Sequence, residues 1–297
     1  MSDPLALLPF ALAAGGGRLN GIGSASLVAA GVTLLQRAAP LVRALSGRQS
    51  CILLPLGPAF LTALAASDGH EALVIDPNAT HREIGAQLAR HDVGAVFTVD
   101  ASASAVPPNM PCVLLDELPA HARLRLDGVY RTVDLGTHRG LRLEGSRDVE
   151  GRADVCLVSS DLDGRLTGVH THRQLLNEMR VVTSRFAIGA ADVLTIALPC
   201  GEWPCGLIVT GATLRAGGSA HVCAIPLDAG ARETTIVVAD TAALGAWVDA
   251  IAASPLSLAP PALRHVLVVG PQPAPRLRAH FEHYLRCVVA PWTGGAP

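Results

Sequence analysis

The chain has 297 residues, a formal net charge of −2, 50% hydrophobic residues and 3% aromatics. Such a composition supports one large core or two smaller ones and excludes disorder; the near-neutral balance leaves no basic stripe with interleaved aromatics of the kind that grips nucleic acid. All 23 basic residues are Arg, so chemistry that needs a Lys ammonium finds no donor in this sequence, a bias that an Arg-favouring codon usage would also produce.

Residues 5–14 form an apolar run, but Asp3 precedes it and no cation does, which argues against a secretory signal and for a cytoplasmic location. The spacing of Leu27, Val28, Val32, Leu35, Val42 and Leu45 predicts a helix over 24–45, and 51–54 reads as a buried strand. Pro55, Gly57 and Pro58 interrupt the apolar stretch 53–66 well short of the roughly 20 residues that span a bilayer, so no membrane span is expected. A helix over 58–66 and a strand over 72–75 follow. Thr80 and Glu83 then form a capping-box pattern that opens a helix to about residue 92, and 95–99 is the next strand.

Residues 101–152 are less regular. Pro107-Pro108, a short strand over 112–115 and the alternation of Leu124, Leu126 and Val129 suggest a linking or edge-strand region. A strand over 155–158 and a helix over 174–186 precede further alternation: strand 193–198, helix 206–214, strands 221–225 and 235–239, helix 241–253, strand 266–269, helix 275–284 and strand 287–290. This rhythm predicts an α/β fold of mainly parallel sheets flanked by helices, in two subdomains, 1–150 and 151–297. The seven cysteines are scattered, which fits a reducing compartment. Neither Cys200-x4-Cys205 nor His170-x-His172 has a partner pair at structural-zinc spacing, so no metal is expected.

The segment Cys156–Asn177, CLVSSDLDGRLTGVHTHRQLLN, carries the main functional signal. An apolar strand enters a small and polar turn (Ser159, Ser160, Gly164, Gly168), and a helix follows from about His172. That strand–turn–helix layout points backbone N–H groups at a phosphate. The cation that such a loop needs is missing, and Asp161 and Asp163 add negative charge instead.

These residues and the order of elements resemble the large N-terminal domain of the adenylate-forming enzymes, the acyl- and aryl-CoA synthetases and their relatives. Residues 51–99 are similar to that family's opening, where an "LLPNGPEF" strand and helix lead to "PL(N/D)P" and an "ELAYQL" helix. The family's phosphate loop reads (S/T)SGTTGxPKG. Ser159 and Ser160 match its first two positions, Gly164 its later Gly, and Gly168-Val169 its close. Asp161, Leu162 and Asp163 replace Gly-Thr-Thr, Arg165 occupies the variable position, and Leu166-Thr167 replaces Pro-Lys. Thr171-His172-Arg173 resembles the family's "TH(R/K)" helix start. Leu198-Pro199 resembles "LPLFH", with Cys200, Gly201 and Glu202 in place of the pocket residues. Gly270 begins the turn that corresponds to "GGAPL", and Trp292 stands near the aromatic of "YGxTE", whose Glu has no counterpart here.

The resemblance therefore implies a degenerate phosphate loop (Ser159, Ser160, Asp161, Asp163, Gly164, Arg165, Thr167, Gly168) and a candidate acyl pocket (His172, Cys200, Gly201, Glu202, Gly270, Trp292). In the family the ribose Asp, a hinge and a mobile C-terminal domain with the adenylation Lys come later, and this chain is expected to lack them. The expected function is a catalytically impaired homologue acting as a binding or scaffolding subunit in an acyl or aryl biosynthetic pathway, without cofactor. Its expected partner is another protein: an active ligase, a carrier protein or a second copy of itself, with an acyl or aryl ligand and no nucleic acid. The alternative is an active acyl- or aryl-activating enzyme using ATP/AMP and Mg, completed by a partner chain or repurposed through Cys200, Glu202 or His172.

Overall fold

A computed structural model describes residues 7–67, 71–116, 118, 120–136, 155–160, 165–223, 233–253, 260–287 and 289–292. The chain opens with α1 (Leu8–Ala14), the short strands β1 (Arg18–Leu19) and β2 (Ile22–Gly23), and helices α2 (Ser24–Arg37) and α3 (Ala39–Leu45). An alternation follows: β3 (Gln49–Ile52), α4 (Pro58–Ala66), β4 (Ala72–Val74), α5 (His81–Arg90), β5 (Val93–Thr98), β6 (Cys112–Leu114) and the hairpin strands β7 (His121–Leu126) and β8 (Val129–Asp134). Next come β9 (Val155–Ser160), β10 (Leu166–Thr171), α6 (His172–Arg185), β11 (Val193–Ala197), α7 (Trp203–Arg215) and β12 (Ser219–Val222). The last elements are β13 (Ile236–Asp240), α8 (Thr241–Ala253), β14 (His265–Val269), α9 (Pro275–Leu285) and β15 (Val289–Trp292).

The chain forms two compact units, Met1–Ala14 with Ile22–Leu176, and Gly15–Gly21 with Asn177–Pro297. In the first, the strand order is β10-β9-β4-β3-β5-β6-β7-β8. The centre, from β9 to β6, is parallel, and antiparallel hairpins close both ends. Cys51, Leu73, Val96 and Cys112 on the strands pack with Ile84 and Leu88 of α5, whose start is fixed by a capping box between Thr80 and Glu83. Ala13 of α1, Val28 of α2 and Ala65 of α4 form a second apolar cluster.

In the second unit β15-β14-β13-β11-β12-β1 run parallel throughout. Trp247 and Val248 of α8 and Phe281 and Leu285 of α9 pack on Val237, Val266 and Val268. Both sheets are thus largely parallel and flanked by helices, as the alternation predicts.

Three expectations are corrected or narrowed. The helix expected over 24–45 is two helices bent by 93°, because Pro40 at the start of α3 cannot continue the ladder of α2. Of the two readings of the region after β6, linking or edge-strand, the second holds: it contains the hairpin β7–β8 at the sheet edge, since Asp127 (φ 48°) and Gly128 (φ 78°) supply the paired left-handed residues that a two-residue turn requires. The boundary expected at 150/151 also shifts: β9 pairs with β4, so the phosphate-loop segment joins the first unit. No single helix among the described residues is long and apolar enough to cross a membrane; only the bent pair α2–α3 meets that criterion together, and Leu27, Val28, Leu34 and Leu41 of that pair are buried inside the protein.

Candidate functional site

The phosphate-loop segment is a β-hairpin. β9 and β10 run antiparallel, with Ser160 opposite Leu166, Gly168 opposite Ser159 and Val169 opposite Val158. The expected strand–turn–helix layout is therefore corrected to strand–turn–strand–helix, and the N-terminus of α6 follows β10 rather than the loop. The reason is local: Leu166, Val169 and Thr171 are β-branched or apolar residues suited to an extended strand, so pairing continues through a stretch expected to be turn, and the helix begins at His172 as expected.

Both serines already have protein partners. The Ser159 hydroxyl lies 3.1 Å from the Thr167 hydroxyl across the hairpin, and Ser160 donates to Oε1 of Gln87 on α5 at 2.7 Å. Gln87 is 3% exposed, so this bond ties the loop end of β9 to the core side of the unit. Gly168 sits where a Cβ would fall 2.7 Å from Ser159 Oγ, so the small residue permits the close strand approach. Arg165 is exposed beside the turn. Asp161, Asp163 and Gly164 lie outside the described residues.

His172 begins α6 and is 6% exposed; its Nδ1 accepts the buried Leu8 N–H at 3.1 Å. That bond makes Nδ1 an acceptor and leaves the proton of a neutral ring on Nε2. His172 thus holds the buried N-terminal turn of α1 in the first unit.

Cys200, Gly201, Glu202, Gly270 and Trp292 all belong to the second unit. They gather at one edge because parallel strands carry their outgoing loops at the same end. β11 leads to a 3-10 turn, Cys200–Glu202, while Gly270 (φ 87°) follows β14 and Trp292 closes β15, in register with Val269. The order reverses between β11 and β13, since β12 lies on one side of β11 and β13, β14 and β15 on the other. The crevice outside the carboxyl ends at such a reversal is where open parallel sheets bind ligands. The Cys200–Glu202 turn leaves one of its two strands and Asp240-Thr241 the other.

This edge has no activated nucleophile in the thiol next to Glu202. Burial, then the carboxylates of Glu202 and Glu178, and a hydrogen bond to Glu202 push the Cys205 thiol up to about 11. A Cβ on exposed Gly201 would meet nothing within 4 Å, so the turn leaves open space beside the crevice. Sequence reasoning named Gly201, weighed Cys205 only as a metal ligand with Cys200, and missed Glu178; the spacing of Glu202 and Cys205 was the signal available for that pair. Among the described residues no group of three or more His, Cys, Asp or Glu is placed to hold a metal.

No family model matches the chain, and no curated protein matches it by sequence. Solved structures do match. VinN in complex with L-aspartate superposes with a TM-score of 0.72 at 14% identity, over 95% of this chain and 74% of VinN. The nonribosomal peptide synthetase FmoA3, bound to α-methyl-L-serine-AMP, gives 0.71 at 18% identity, over 98% of this chain and 33% of that one. MatB from Rhodopseudomonas palustris gives 0.67 at 16% identity, over 98% and 60%. The fold is that of the N-terminal domain of the adenylate-forming enzymes. At these identities the likeness concerns the fold, and this chain spans a third to three quarters of each neighbour's length.

Proposed function

We propose that this protein is a catalytically impaired homologue of the adenylate-forming enzymes, acting as a binding or scaffolding subunit in acyl or aryl metabolism. The observation that carries this reading is the state of the β9–β10 hairpin: Ser159 and Ser160 are engaged with Thr167 and Gln87, and no ammonium is available to a phosphate. A triphosphate seated there would need compensating positive charge. The sequence offers Asp161 and Asp163 with Arg165 alone between them and the strand, and each like-charge contact at partly buried range costs on the order of 1 kcal/mol or more. Adenylation also has to stabilise charge developing on the leaving pyrophosphate, which is electrostatic work that fold geometry does not replace.

The hairpin has the chemistry of a structural clasp, whereas the carboxyl-end crevice of the second unit keeps the open space that an acyl or aryl group needs. The partner is another protein, an active ligase, a carrier protein or a second copy, and nucleic acid has no matching surface charge. Calorimetry with ATP and Mg²⁺ tests the reading. Binding no tighter than about millimolar, roughly −4 kcal/mol, is expected. Micromolar binding, or pyrophosphate release with any carboxylic acid, would refute it.

A further inference from the structure

We infer that the outward face of α9 in the second unit docks an acidic helix of a different protein. This names the chemistry of the partner in the proposed function and rests on that reading.

α9 (Pro275–Leu285) buries one side, where Phe281 and Leu285 enter the core of the second unit. Arg276, His280 and His283, at i, i+4 and i+7, share the opposite side, and Arg286 follows at the end of the helix; all four are exposed. The face has one sign of charge. The single acid of the helix, Glu282, is already engaged: its Oε1 accepts Arg278 Nε at 3.0 Å and the Val289 N–H at 3.2 Å. Arg276 and Arg286 have no ion pair among the described residues. The two imidazoles are held in place, because both meet Tyr284 edge-on, with ring centroids at 4.9 Å for His280 and 5.2 Å for His283. Arg and Tyr are enriched among the residues that carry protein–protein affinity, and rings fixed in advance lose less freedom on docking.

Charge selects the occupant. From Arg276 to Arg286 the face runs about 15 Å along the helix axis. It offers guanidinium forks, which match carboxylates, and imidazole N–H donors between them. Its complement is a helix that presents carboxylates at successive turns. A second copy of this chain has no such helix among the described residues: α5, α6, α8 and α9 carry one acidic residue each, and α1 to α4 and α7 carry none. The occupant is therefore a different chain. Nucleic acid fits less well, because phosphate affinity grows with the number of cations along the backbone, and here two arginines stand on a chain of net charge −2.

Fluorescence anisotropy of the full chain tests this with a labelled helical peptide that carries Glu at i, i+4 and i+7, and with the same peptide carrying Gln or Lys there. The Glu peptide should bind at least about tenfold more tightly than the Gln peptide, and the difference should shrink as salt rises. Arg276→Glu combined with Arg286→Glu should weaken the Glu peptide by at least about tenfold and gain affinity for the Lys peptide. Its melting midpoint should stay at the wild-type value, since both side chains are exposed and without an ion pair. Arg131→Glu, on exposed β8, should leave peptide binding unchanged. Equal binding of the Glu and Gln peptides, unchanged binding by the double variant, or tighter binding of duplex DNA or phosphatidylserine vesicles through the same two arginines would each overturn the inference. Nucleotide takes no part in this readout, so the docking face and the catalytic reading fail separately.

Discussion

Asp192 shows how single residues hold the second unit. Its carboxylate receives Arg264 Nε at 3.1 Å and Nη2 at 2.7 Å, the Thr235 hydroxyl at 2.7 Å and the Gly189 N–H at 2.8 Å. Burial pushes the Asp192 carboxyl up, but the bonds from Arg264, Thr235 and Gly189 outweigh it and hold the group below its ordinary value. A depressed carboxyl contributes stability above the unfolded-state pKa, roughly 3.9, and that contribution is lost as pH falls through the folded value. Neighbouring His265 is also held low, by burial first and then by Arg264. Its neutral form is favoured in the fold, so stability declines as pH falls from about 6.5 toward the folded value. Both groups act in the same direction. Asp192→Asn should lower unfolding free energy by about 1–3 kcal/mol at pH 7 in urea melts, and flatten the acid slope below about pH 4. An unchanged midpoint would show that the fork contributes nothing. His172→Leu should also destabilise, by about 1–3 kcal/mol, because it strands the buried Leu8 N–H, and the same melts read it out.

At the scale of elements, the β9–β10 hairpin explains both what could be read in advance and what could not. The resemblance located the segment and named Ser159, Ser160 and Gly168, because small and polar residues at fixed spacing leave a pattern in sequence. That β10 is a strand was not legible: a short apolar run such as Leu166–Thr171 fits strand or turn equally, and the pairing to Val155–Ser160 that settles it is non-local. The same limit explains Ser160 and Gln87, 73 positions apart. Helix α8, by contrast, is legible over its whole length, Thr241–Ala253, and Asp240 accepts the Ala243 N–H at 2.7 Å as a local cap. The hairpin also supports a gain-of-binding test. Replacing Asp161 with Gly, Asp163 with Thr and Thr167 with Lys removes two like charges, frees Ser159 from its cross-strand partner and supplies an ammonium. ATP affinity in the triple variant should rise by at least about tenfold, some 1.4 kcal/mol, in calorimetry. No gain would mean that the charge of the loop is not what limits nucleotide binding.

At the scale of the whole chain, the parallel sheets follow from the rhythm of apolar strands and helices, and that rhythm is visible in the sequence on both sides of the less regular residues 101–152. Strand order was not, because the reversal between β11 and β13 depends on which way each crossover turns. In open parallel sheets such a reversal marks the carboxyl-end position where ligands fit, and here that position lies beside the turn that carries Gly201. The candidate residues of the second unit, far apart in sequence, meet at this edge for a topological reason, whereas His172 belongs to the first unit and carries a structural bond. Gly201 gives a direct test of the crevice. Its Cβ position is open, so Gly201→Trp should leave the unfolding free energy within about 0.5 kcal/mol of wild type. The indole would occupy the space that a bound acyl or aryl group needs. With benzoate and octanoate as probes, ligand-observed NMR should detect weak binding to the wild type and a loss of at least about tenfold in the variant. Equal binding by both proteins would place the ligand elsewhere, and destabilisation of the variant would mean that the turn is closed rather than open.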